Sequence, residues 1–67
     1  MYQIIGVQRS QKRVLVATPA NAGEALTHYR AAQRLFPLII IVSPDGEEID
    51  GFELSRRYQA EEAQRFA

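Results

Sequence analysis

The densest run of chemistry-bearing residues is Asp45-Gly46-Glu47-Glu48-Ile49-Asp50-Gly51-Phe52-Glu53, five carboxylates in nine positions. Carboxylate oxygens suit hard cations, and an EF-hand calcium loop would follow a strict pattern. It needs oxygen ligands at positions 1, 3 and 5, glycine at 6, an apolar residue at 8 and Glu at 12. With Gly46 at the sixth place, Ile41 stands first, Glu48 falls where the apolar residue belongs and Glu53 comes one place late. A tight turn followed by a capped helix accounts for the same residues. No metal is expected.

The cations form the second candidate constellation. Arg9, Lys12 and Arg13 cluster early in the chain, and Arg30 and Arg34 lie one helical turn apart. Such a surface could follow a phosphate backbone, with Gln8, Gln11, His28 and Gln33 adding polar contacts. Solvated hairpin tips and helix backs are charged for no such reason, and the formal net charge of the chain is zero. The charge is unevenly spread: residues 1–36 set five cations against Glu24, and residues 37–67 set seven carboxylates against Arg56, Arg57 and Arg65. That +4/−4 split marks either a nucleic-acid face or two surfaces that attract each other.

Nothing in the chain assembles a catalytic set. There is no cysteine, and the one histidine, His28, falls off the apolar stripe of its helix. Ser10, Ser43 and Ser55 fit a turn, a strand end and a helix surface, none of them a nucleophile elbow. The four glycines are scattered, so no phosphate-cradling loop is formed. The expectation is a protein without catalytic residues or cofactor.

The elements that position these residues are readable in turn. Residues 2–8 and Arg13-Val14-Leu15-Val16-Ala17 are two short apolar runs joined by polar residues, the pattern of a β-hairpin. Its turn has no Asn-Gly or Asp-Gly, so its type stays open. A helix follows, capped either by Asn21, with Glu24 completing a capping box, or by Thr18 with Pro19 in the first turn. Ala22, Ala25, Leu26, Tyr29, Ala32 and Phe36 fall on one face, and Pro37 stops the helix near Phe36. Leu38-Ile39-Ile40-Ile41-Val42-Ser43 is a strand with no polar alternation, which implies cover on both faces. Pro44-Asp45-Gly46 turns the chain, and Glu47-Glu48-Ile49 returns as a very short fourth strand. Asp50 caps a second helix from about Gly51 to Arg65, with Ile49 and Leu54 placed as a hydrophobic staple. Glu53/Arg57, Arg57/Glu61 and Glu61/Arg65 stand at i,i+4 along it. Its apolar residues are split, Leu54 and Tyr58 on one side and Phe52, Ala63 and Phe66 on another, and its last turns from about residue 62 are expected to fray.

These elements define one small α+β domain spanning residues 1–67, ββαβ(β)α. An antiparallel sheet of order 2-1-3, or 2-1-3-4 if Ile49 pairs, carries one helix on a face. The alternative sets the third strand parallel to the second. This hairpin–helix–strand–helix layout resembles short uncharacterised bacterial proteins, a resemblance that implies no activity, cofactor or catalytic residue.

A chain of 67 residues buries only about 60% of its unfolded surface. Without disulfides, and with no set of residues for a structural zinc site, a partner subunit is the stabilising device left. The first helix covers one sheet face. The other face, assigned Ile5, Val7, Leu15, Ile39 and Ile41, needs either the second helix or another protein surface. The expectation is a cytoplasmic protein-interaction or homodimerisation module, with nucleic-acid binding through Arg9, Lys12, Arg13, Arg30 and Arg34 as the alternative. No segment has the length or charge pattern of a signal peptide or membrane span.

Overall fold

A computed structural model describes residues 1–65. The elements are β1 (Gln3–Val7), β2 (Arg13–Ala17), α1 (Ala22–Ala32), β3 (Leu38–Val42), β4 (Glu48–Ile49) and α2 (Gly51–Arg65). The four strands form one antiparallel sheet in the order β2-β1-β3-β4. β3 therefore lies beside β1, and the arrangement with β3 parallel to β2 does not form. The two interior strands are the two with adjacent isoleucines.

The two hairpins use the same turn. At the β3–β4 hairpin, Ser43 N–H donates to Glu47 O at 2.7 Å and Gly46 N–H donates to Ser43 O at 2.9 Å. At the β1–β2 hairpin, Gln8 N–H donates to Lys12 O at 2.9 Å and Gln11 N–H to Gln8 O at 2.8 Å. Each turn places its fourth residue in the left-handed region: Gly46 at φ 89° and Gln11 at φ 68°. In the second hairpin each residue suits its place. Pro44 presets its backbone angle, Asp45 accepts the Ser43 hydroxyl proton and glycine takes the positive φ without strain. The first hairpin reaches the same geometry with a residue that resists it.

α1 is capped by Asn21, not Thr18: Glu24 N–H donates to Asn21 Oδ1 at 2.9 Å. Glu24 in turn accepts from Ala20 N–H at 3.2 Å, one residue before the usual capping-box partner. The helix ends at Ala32, four residues before Phe36. Arg34 and Leu35 N–H donate to the carbonyls three residues back, a tightened turn that delivers the chain to Pro37. Asp50 caps α2, accepting from Glu53 N–H at 2.7 Å.

Both helices lie on one face of the sheet. The core beneath them holds Tyr2, Ile4, Ala22, Ala25, Leu26, Ala32, Ile41 and Leu54, with Tyr29, Phe36, Ile39, Ile49 and Tyr58 packed around it. Phe36 sits directly on Gly6, where a Cβ would stand 2.5 Å from its ring, so the strand glycine is the seat of that aromatic. Phe52 is exposed on the outer side of α2, and Phe66 lies outside the described residues.

The shared turn supplies its own control. Replacing Gln11 with glycine makes the first hairpin match the second, and is expected to stabilise the fold by about 0.5–1 kcal/mol. Denaturant unfolding of Gln11→Gly beside the wild type measures it. A β-branched residue at position 11 is expected to move the midpoint the other way.

Candidate functional site

Strand alternation and register sort the sheet residues into two faces. Gly6 pairs with Val14 and Ile39, Ile4 with Ala17 and Ile41, and Ile41 with Ile49. These share the face under the helices. Ile5 pairs with Leu15 and Ile40, Val7 with Arg13 and Leu38, and Val42 with Gln3 and Glu48. These share the other face, over which no element of the described residues passes. Leu15 is 57% exposed and Leu38 56%, while Ile5, Val7, Ile40 and Val42 are half-buried among their own neighbours. A bulge between Ile4 and Ile5 leaves Val16 unopposed on the β2 edge.

The structure thus divides the five residues assigned to an interface from sequence. Ile5, Val7 and Leu15 lie on the uncovered face. Ile39 is packed on the core and Ile41 is 1% exposed within it, so neither is available to a partner. Their places on the open face belong to Leu38, Ile40 and Val42. The reason is register: β3 is apolar at every position, so only its pairing with β1 says which residues face which way, and a one-residue slip exchanges the two sets. A signal was present in Gly6, because a mid-strand glycine followed later by Phe36-Pro37 marks where an aromatic packs.

α2 leaves the second face open because it is tied to α1. Leu54 is fully buried, Tyr58 lies against Gly23, and Tyr29 lies against Gly51. At the far end, Ala22 N–H donates to Glu61 Oε2 at 2.8 Å. Glu61 is thereby a second cap for α1, supplied from another helix, and its charge opposes the positive end of the helix dipole. The expected Arg57/Glu61 and Glu61/Arg65 pairs do not form. Arg57 joins Arg56 on Glu53 instead, at 2.9 and 2.8 Å, and Arg65 stands 3.8 Å from Glu62. α2 is helical through Arg65 among the described residues.

The five cations of the candidate basic surface do not form one patch. Arg9 and Lys12 lie in the β1–β2 connection, Arg13 follows at the start of β2, and Arg34 lies in the turn after α1 at the same end of the sheet. Arg30 lines a cleft of about 510 Å³ between α1 and α2, together with Glu24, Glu61, Glu62 and Arg65. His28 is exposed. Among the described residues no group of three or more His, Asp or Glu is placed to hold a metal ion. No helix there is long and apolar enough to cross a membrane.

The fold and surface define a small α+β domain with a one-sided sheet. No family model, no curated protein and no solved structure matches this chain.

Two outcomes test the polar contacts of α2, the first its tie to α1 and the second its own ion pairs. Glu61→Ala removes the acceptor for Ala22 N–H and is expected to cost about 1 kcal/mol by thermal or denaturant unfolding, with Glu61→Gln recovering part. Arg56 first and Arg57 next hold the Glu53 carboxyl down to about 2, from an ordinary 4.5. A depressed carboxyl stabilises the fold above its unfolded pKa and loses that contribution as pH falls toward its folded pKa. The stability difference between wild type and Glu53→Gln is therefore expected to shrink from about pH 5 to about pH 2. It also weakens in high salt, because Arg56 is exposed and Glu53 and Arg57 are only half-buried.

Proposed function

We propose that this protein is a non-catalytic homodimerisation module whose working surface is the uncovered sheet face. One observation carries the reading: both helices pack on the same side, leaving Ile5, Val7, Leu15, Leu38, Ile40 and Val42 together on the other. A contiguous apolar face of this kind marks an interaction site in a folded chain. Four strands about 4.8 Å apart, with about 3.3 Å per residue, make a platform of roughly 14 by 16 Å. Two such platforms have a combined flat footprint of about 450 Å², below the size of a standard specific interface, which favours a weak, concentration-dependent dimer. A second copy is the occupant supported by chemistry, since it brings an apolar platform of equal extent.

Nucleic-acid contact has thinner support: four cations at one end of the sheet, in a chain of zero net charge whose fifth candidate, Arg30, stands among carboxylates.

Absolute mass by light scattering, at two protein and two salt concentrations, tests the reading. The expected result is a dimer that grows with protein concentration, persists in high salt and is lost in Leu15→Lys. A monomer at every concentration overturns it.

A further inference from the structure

The open face carries one cation and one anion, at opposite corners. Arg13 begins β2, on one edge of the sheet, level with Val7 and Leu38. Glu48 lies in β4, on the other edge, level with Val42 and Gln3. Both are exposed, and neither forms an ion pair among the described residues. Between them lies the apolar platform. Arg9 and Lys12 continue the positive corner along the chain, and Glu47 continues the negative one.

We infer that a second copy closes on this face with the two sheets crossed near a right angle, Arg13 of each chain meeting Glu48 of the partner subunit. This rests on the homodimer reading and adds its geometry. A closed pair of identical chains has two-fold symmetry, and for face-to-face packing the axis lies in the plane between the sheets. An axis along the strands lays Arg13 beyond the end of the partner's two-residue β4. An axis across the strands lays β2 on β2 and sets Arg13 over the level of Ala17. The diagonal axis alone brings the positive corner onto the negative one, and symmetry makes that contact twice. Three strand spacings span about 14 Å and the four residue steps between the two levels about 13 Å. The corners of this near-square coincide when the strands cross at close to 90°, one of the two ways in which sheets stack. Isoleucines, valines and leucines fill the centre, and the charged pairs at the rim set orientation and register more than affinity.

Charge reversal reads this arrangement directly. Arg13→Glu alone sets like charges against Glu48 at both contacts, and Glu48→Lys alone does the same against Arg13. Each is expected to weaken its own dimer by about tenfold or more. Mixed together, the two variants make both contacts attractive, so the heterodimer should exceed the statistical half of all dimers in native mass spectrometry. The doubly reversed chain, Arg13→Glu with Glu48→Lys, should regain the wild-type dissociation constant. Because both side chains are exposed and unpaired, circular dichroism of each variant should match wild type. A wild-type dimer whose variants mix without preference overturns the crossed arrangement and leaves the dimer standing, as it would for dimers joined through the β2 edge. A wild type that stays monomeric overturns both.

Discussion

Ile4, Ile41 and Leu54 are the largest side chains fully shut off from water, one each from β1, β3 and α2. Their shared core is the constraint on which the rest of the structure depends. A chain this short has one good apolar stripe on α1 and one strong residue, Leu54, at the start of α2. Burying Leu54 in the core under α1 brings α2 to the same side of the sheet. Once there, it cannot also cover the opposite face. The Ala22–Glu61 hydrogen bond and the seating of Tyr58 on Gly23 hold the remaining turns in line.

The consequence is a division of labour between the two sheet faces. One face contributes to the fold through burial under two helices, where Gly6 leaves room for Phe36 and small alanines let α1 come close. The other retains an apolar surface that the monomer does not use. The charge split follows the same logic. The β2 edge begins with cations and the β4 connection is acidic, so the open face has a direction as well as a hydrophobic centre. Several of the chemistry-bearing residues are spent on caps, turns and helix pairs. Asp45, Asp50 and Glu53, three of the five carboxylates that first suggest a metal, are each engaged in such a local role.

Much of the fold was legible because its signals are local. Asn21 and Asp50 cap helices through bonds that span three residues, and Pro44-Asp45-Gly46 forms the turn its residue types favour. The strand order was readable too, since the adjacent isoleucines of β1 belong in the interior. Where local signals were weak, the reading went only part of the way. Gln11 carries no glycine-like mark of its positive φ, and α1 stops short of Phe36 because the tightened turn depends on where Phe36 packs.

Sequence alone determined the α+β class, three strands and two helices, the Asp50 cap and the excess of apolar surface on the sheet. It left the fourth strand and the choice of Asn21 or Thr18 as cap open. Tertiary structure alone decided which side α2 takes, which residues of Leu38–Val42 face the helices, and that Glu61 caps α1 instead of pairing along its own helix. The physical reason is common to all three. Each depends on a choice between partners distant in sequence, and such a choice is made by register and core packing, whereas caps, turns and periodicity are made between neighbours.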